Sequence, residues 1–113
     1  MEYIFNKHGV CENPTIIFTT SEEGKHYGGF SIEVAELNGY WDYGYSFPNG
    51  CGPCSPKWKK FKSKEEAIED SVEFLKKQAE RYLNGETGLM PNGDKYARKF
   101  LDWCDSRNQL SLF

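Results

Sequence analysis

The sequence predicts an α+β domain of two layers, in which an antiparallel sheet of three to four strands is packed by two C-terminal helices. Residues 15–20 are rich in β-branched side chains, and residues 30–47 alternate apolar and polar side chains, as strands do. Residues 63–106 instead place apolar side chains at helical spacing between capping residues. Because the strands precede the helices along the chain, one sheet covered on one face by a helix pair is the expected arrangement.

The sheet is predicted from four segments. Residues 3–5 form a short strand or irregular arm, and a turn follows before Pro14. Residues 15–20 form a strand, and a polar hairpin loop at residues 21–25, next to His26, leads to the strand at residues 30–37. Asn38-Gly39 predicts a two-residue turn because both positions tolerate positive φ. The returning strand, residues 40–47, has one face formed by Trp41, Tyr43, Tyr45 and Phe47, and another formed by Tyr40, Asp42, Gly44 and Ser46.

Two segments connect this sheet to the helices. Residues 48–56 contain three prolines and two glycines, so we predict irregular structure there. Residues 57–62, Lys-Trp-Lys-Lys-Phe-Lys, suit an edge strand or a helical turn. We predict the edge strand, with the lysine stems lying along the surface.

The first helix has a clear beginning and end. Ser63 and Glu66 form a capping box, and carboxylates fill the first turn, where the helix dipole favours them. The helix runs to about Leu83, and Asn84-Gly85 ends it. We expect a single buried stripe, formed by Ile68, Val72, Leu75, Ala79 and Tyr82.

The second helix follows a loop at residues 86–93. Asp94 is its predicted cap, and the apolar spacing continues to Asp105 or Ser106. No internal repeat or second domain is apparent, so residues 1–107 are predicted to form one small α+β domain and residues 108–113 a separate peptide. The side chains that this helix is expected to bury are Ala97, Phe100, Leu101 and Cys104.

Composition and charge narrow the classes of function. The chain has 113 residues, enough for its own core, and a net charge of −3 argues against non-specific nucleic-acid binding by the molecule as a whole. No apolar run is long enough to span a bilayer and no signal-peptide pattern opens the sequence, so we expect a cytoplasmic protein without a membrane partner. In a reducing cytosol, four cysteines predict thiols or metal ligands.

The last five residues, Gln109-Leu110-Ser111-Leu112-Phe113, form a strip whose apolar and polar side chains separate when it is extended. Their order resembles the linear motif by which bacterial proteins dock on the replication sliding clamp, the β ring of DNA polymerase III. The resemblance implies that Gln109 hydrogen-bonds at the pocket rim, that Leu110 enters a small pocket and that Ser111 is a tolerant spacer. It also implies that Leu112 and Phe113 fill a deeper apolar pocket. In the alternative arrangement, the apolar side chains fold back over the core.

This resemblance predicts a small non-enzymatic protein of bacterial, phage or mobile-element origin that docks on the clamp as an accessory factor or inhibitor in DNA replication or repair. The oligomeric state stays open. As an alternative, three strands followed by a helix that opens Ser-Lys-Glu-Glu-Ala-Ile loosely resemble antitoxin domains of the HicB type, which implies a protein-interaction module. The histidines and carboxylates show no catalytic spacing, so no enzyme is predicted.

The Cys-Gly-Pro-Cys segment at residues 51–54 suggests two kinds of chemistry. It resembles the redox motif of thioredoxins, but no βαβ unit precedes it, so we do not expect disulfide exchange. The same spacing lets Cys51 and Cys54 bind one zinc ion, and His8 with Cys11, equally spaced, would complete a structural site joining the N-terminal arm to this loop. The simpler alternative is a set of unligated thiols, with no cofactor.

One stretch of the chain is strongly basic. Two aromatic residues, Trp58 and Phe61, interrupt its lysines, which are Lys57, Lys59, Lys60, Lys62 and Lys64. Lysines neutralise phosphates while an exposed ring stacks on a base, so DNA is a second candidate partner, bound by Lys57, Trp58, Lys59, Lys60 and Lys62. In the alternative, which we favour from the sequence, both aromatic side chains lie in the core and the lysines form a solvated edge.

Overall fold

A computed structural model describes residues 2–20, 29–88 and 92–111, and for residues 108–111 it describes the course of the backbone. The predicted hairpin loop at residues 21–25, His26, and residues 89–91 of the second loop lie outside the described residues. The elements in chain order are β1 (Thr15–Thr19), β2 (Ser31–Leu37), β3 (Tyr40–Phe47), β4 (Gly50–Gly52), a 3₁₀ turn (Pro56–Trp58), α1 (Lys64–Leu83) and α2 (Gly93–Ser111).

The structure confirms the predicted α+β class. The four strands form one antiparallel sheet in the order β1-β2-β3-β4, and α1 packs against β2, β3 and α2. The sheet is therefore covered on one face by helices, as the order of the elements predicts. Neither helix in the described part of the chain has the apolar character that crossing a membrane requires.

The β2–β3 hairpin forms at the predicted turn. Asn38 and Gly39 have φ values of 54° and 86°, the left-handed conformation that this two-residue turn needs. The paired register then places Ile32 opposite Tyr45. In β1 an irregularity between Ile16 and Phe18 breaks the regular alternation of the strand, so that neighbouring side chains both pack toward the helices.

The cap of helix α1 is the predicted one. The Ser63 hydroxyl accepts a hydrogen bond from the Glu66 backbone N–H at 3.1 Å, and Gly85 follows the helix with a φ of 77°. The C-terminal part of the predicted stripe is confirmed, but in the first two turns the fully buried positions lie one residue earlier than predicted. Helix α1 contacts both the sheet and α2, so its buried face is broad. Its fully buried members are Ala67, Ser71, Leu75, Ala79 and Tyr82, while Ile68 and Val72 are half-buried.

The main core lies between the sheet and the helices and is built on aromatic rings. The Phe30 and Phe100 rings stack with centroids 5.3 Å apart, and Phe18 stacks on Trp103 at 4.6 Å. Such pairs contribute directional contacts beyond the area that they bury. The buried members of this core are Phe30, Ile32, Leu75, Ala79, Tyr82, Ala97, Phe100 and Cys104, so the predicted inner face of α2 is confirmed, with Leu101 half-buried at its margin.

A second, smaller core covers part of the opposite face of the sheet. Cys11, Ala35 and Cys54 are its buried members, and Tyr3 and Phe5 of the N-terminal arm pack against them. The arm is held in place by a β-bridge between Phe5 and Cys11. The arm and the loop after β4 therefore form a partial third layer, which the two-layer prediction did not include.

Three predictions about elements are wrong. Residues 48–56 are not wholly irregular, because Gly50–Gly52 pairs with β3 as strand β4. Residues 57–62 do not form an edge strand: Pro56–Trp58 is a 3₁₀ turn, since proline at its first position has the required φ, and only Phe61 bridges to Trp41. Helix α2 begins at Gly93 and continues to Ser111 rather than ending at residue 105 or 106.

Replacing Ser63 by Ala tests the cap of α1. The variant leaves the Glu66 N–H without its acceptor, and we expect a loss of about 1 kcal/mol in unfolding free energy, or ~4 °C in Tm. The matched control is Ser106→Ala, which removes an exposed hydroxyl within α2 and should leave Tm almost unchanged. Thermal unfolding followed by circular dichroism measures both. Equal Tm values for the two variants would contradict this role of Ser63.

Candidate functional site

The basic stretch presents an exposed tryptophan. Trp58 is 66% exposed, so the sequence-based prediction that it lies in the core is wrong. Phe61 is half-buried, with its ring centroid 5.9 Å from that of Tyr43. The two aromatic residues of the stretch therefore have different environments: one packs against β3 and the other faces solvent.

The turn that carries Trp58 is fixed by local geometry. We call residues 55–60 the Trp58 turn. Pro56 is fully buried and begins the 3₁₀ turn, and the Lys59 backbone N–H donates to the Pro56 carbonyl at 3.0 Å. Lys59 itself has a φ of 56°, which reverses the chain immediately after Trp58. The indole is thus directed outward by a closed turn.

Strand β3 anchors this turn from below. The Asp42 carboxylate, on a residue only 4% exposed, accepts a hydrogen bond from the Ser55 N–H at 2.9 Å. The Cys54 thiol donates to the Asp42 carbonyl at 3.3 Å. Gly44 makes this approach possible, because a Cβ atom there would lie 3.0 Å from the Cys54 nitrogen. A charge-assisted bond from a buried carboxylate is among the stronger hydrogen bonds in proteins, so the turn is firmly held.

The N-terminal arm anchors the same turn from the other side. The Ser55 hydroxyl donates to the Gly9 carbonyl at 3.0 Å, and the Cys11 N–H donates to the Cys54 carbonyl at 2.9 Å. The Lys57 ammonium also donates to the His8 carbonyl. The arm, the loop after β4 and the Trp58 turn are therefore one connected unit.

A groove opens beside Trp58 at the edge of β3. Its volume is 200 Å³. Tyr43 forms part of its wall, and the Tyr43 hydroxyl donates a hydrogen bond to Asp70 of α1 at 2.8 Å, which holds the Tyr43 ring in place. Burial, followed by this bond to Asp70, raises the pKa of Tyr43, so the phenol stays neutral at physiological pH. The groove is lined by Asp42, Tyr43, Tyr45, Gly52, Pro53, Ser55, Trp58 and Lys60.

The lysines around the turn are exposed. Lys57 lies 5.1 Å from the centre of the Trp58 ring, and Lys59 lies 5.8 Å from the centre of the Tyr40 ring. Lys60 and Lys62 are exposed as well. Within the described residues the ion pairs join Glu73 to Lys77 and Glu69 to Arg107, so the cations of the basic stretch take part in neither.

The structure brings together two of the four predicted zinc ligands. Cys11 and Cys54 share the small core, whereas Cys51 is exposed on β4 and His8 is exposed in the arm. No three His, Cys, Asp or Glu side chains of the described residues lie close enough to hold a metal ion together. Burial raises the pKa of Cys11 and of Cys54, so both thiols are protonated at neutral pH in this arrangement.

The predicted docking peptide begins within α2. The sequence suggested an extended conformation for residues 109–113. In the isolated chain the helix backbone instead continues through Ser111, so residues 109–111 are helical. One turn earlier, the Arg107 guanidinium pairs with Glu69 of α1 at 2.8 Å and lies 5.1 Å from the Trp103 ring. Leu112 and Phe113 lie outside the described residues.

Sequence reasoning identified Trp58 and Lys60 of this groove but missed Asp42 and Ser55, which hold the Trp58 turn in place. Asp42 was assigned only to a strand face, and Ser55 to an irregular segment. The sequence does single out Asp42, because residues 43–64 after it contain no other carboxylate. An isolated carboxylate before a long stretch without negative charge could have indicated a hydrogen-bonding role within that stretch. Comparison with protein-family models, with curated proteins and with solved structures finds no match to this chain.

Thiol reactivity tests the placement of the four cysteines. Cys51 is exposed, while Cys11, Cys54 and Cys104 are buried, and burial raises the pKa of Cys104 to about 11. With a disulfide reagent at neutral pH, we expect one thiol to react quickly in the native protein and four in guanidinium chloride. The Cys51→Ser variant should lose the rapid phase. Rapid reaction of a second native thiol would contradict this arrangement.

Proposed function

We propose that this protein docks on a bacterial replication sliding clamp through residues 109–113 and acts there as a small non-enzymatic accessory factor or inhibitor. The observation that carries the proposal is the order Gln109-Leu110-Ser111-Leu112-Phe113, in which each position fits the clamp-binding motif. Gln109 supplies the amide for the pocket rim, and Leu110 enters the first pocket. Leu112 and Phe113 supply the deeper apolar contact.

The position of the motif along α2 supports this proposal. The ion pair between Arg107 and Glu69 fastens α2 to α1. About one helical turn separates Arg107 from the end of α2 at Ser111. Terminal helical turns fray readily because few hydrogen bonds hold them, so residues 108–111 can become extended without breaking the Arg107 contact. The last turn also contains no basic side chain to stabilise the helix dipole.

The contact is expected to be weak by itself. Five residues bury much less than the roughly 1,200–2,000 Å² of a stable protein interface. A clamp ring offers repeated sites, so a second contact by the same protein raises the effective affinity without changing the motif. A weak motif also allows exchange with other proteins that use the same pocket, which suits an accessory factor or a competitor.

A binding assay with purified clamp tests the proposal. The full chain should bind, and a chain that ends at Asn108 should not, because the amide and all three apolar contacts are lost. Leu112→Ala with Phe113→Ala should weaken binding by at least tenfold, since two buried side chains each contribute more than 1 kcal/mol. Surface plasmon resonance on immobilised clamp measures the difference.

Ser111→Ala is the matched control, because a spacer position makes no essential contact in the proposed mode. Its binding should equal that of the full chain. Equal binding by the chain ending at Asn108 would refute the docking motif. The antitoxin hypothesis stays a separate prediction: it expects stoichiometric co-purification with a small toxin protein, and that interaction should be indifferent to the loss of residues 109–113.

A further inference from the structure

We propose that the Trp58 turn and its groove bind single-stranded DNA, with an unpaired base stacked on Trp58 and the surrounding lysines placed on phosphates. This site is distinct from residues 109–113, and the proposal goes beyond clamp docking. The choice of DNA over RNA rests on the proposed function, which places the protein at replicating DNA. The stacking surface and the lysines lie within the described residues.

The first support is that Trp58 is exposed on a rigid support. A tryptophan at 66% exposure leaves a large apolar ring in water, an arrangement that the surrounding structure actively maintains. Asp42 and Gly9 hold Ser55, and Pro56 is buried, so the ring cannot reach the core without breaking these contacts. Because the backbone that carries the ring is already fixed, the turn loses little conformational entropy when a ligand stacks on Trp58.

The second support is the size and lining of the groove. At 200 Å³ it is smaller than the roughly 300–1,000 Å³ of sites for drug-sized ligands, so it suits a single flat ring system. Tyr43, Tyr45 and Trp58 provide aromatic surface, and Pro53 adds an apolar one. A nucleobase stacks on such surfaces whatever its sequence, since each base has a π face.

The third support is the local charge. The chain carries a net charge of −3, yet residues 43–64 contain five lysines and no carboxylate. Lys59, Lys60 and Lys62, which follow Trp58 in the sequence, are all exposed, and Lys60 also lines the groove. A local positive field on an acidic protein directs a polyanion to this surface and away from the rest of the molecule.

The geometry favours a single strand over a duplex. A short turn presents neither a helix nor a β-ribbon to the major groove, which are the elements that usually read duplex DNA. Stacking on Trp58 requires a base with a free face, and bases in a duplex have none. An acidic peptide would use the lysines but would leave the aromatic groove empty.

Fluorescence anisotropy with labelled oligo(dT) tests the proposal, because this probe forms no duplex. The full chain should bind, and Trp58→Ala should weaken binding roughly 5- to 100-fold through the loss of one stacked base. Trp58→Phe should keep most of the affinity. Since Trp58 is exposed, both variants should unfold at the parent Tm, so lost binding cannot be attributed to lost folding.

Paired charge reversals test the phosphate contacts. Lys59→Glu with Lys60→Glu should abolish binding at moderate salt and reduce the slope of log affinity against log salt by about 1.4, the value for two contacts on a single strand. Lys95→Glu with Lys99→Glu is the matched control, because it makes the same change of net charge on exposed positions of α2. Equal losses from the two pairs would refute a local site.

Two further readings make the assay decisive. Oligo(dT) should quench the intrinsic fluorescence of the parent, because the stacked base contacts Trp58. Trp58→Phe should still bind but lose this quenching. The fluorescence of this variant can still be measured because Trp41 and Trp103 remain. The chain that ends at Asn108 should bind oligo(dT) like the full chain, which separates this proposal from clamp docking. Absence of salt-dependent binding by the parent, tighter binding of duplex DNA, or tighter binding of oligo(rU) would overturn the assignment.

Discussion

Strand β3 has to bury side chains on both of its faces, and this constraint organises the molecule. On the helix side, Tyr45 and Phe47 pack against Phe74 of α1. On the other side, Asp42 is buried beneath the loop that follows β4, and its carboxylate accepts a hydrogen bond from the Ser55 N–H of that loop. Strand β3 therefore connects the main core with the solvent-facing turn at Trp58.

Charge is distributed unevenly over this frame. The first turn of α1 is rich in carboxylates, which the positive end of the helix dipole stabilises. In the segment before it, the charged residues are all lysines. An acidic helix and a basic turn thus follow one another in sequence. The net charge of −3 is an average over the whole chain and does not reveal this separation of acidic and basic segments.

The predictable parts of the fold were those set by local physics. Asn38-Gly39, Ser63 and Gly85 each determine the backbone within a few residues, and the structure has the predicted turn, cap and helix end. The inner face of α2 followed from its helical period. The parts that failed depend on distant contacts: β4 exists because β3 offers it an edge, and Trp58 is outside because Asp42 and the arm hold its turn. No pattern within residues 48–62 encodes those partners.

The contacts between the arm and the Trp58 turn have a consequence for the order of folding. Ser55 and Gly9 are 46 residues apart along the chain, so their hydrogen bond closes a long loop whose entropy must be overcome before the bond contributes. The β2–β3 hairpin and the helices form through much shorter separations. The hairpin and the individual helices should therefore form before the Trp58 turn is fixed, and a chain whose arm has been trimmed by a protease would keep its main core but lose the definition of that basic surface.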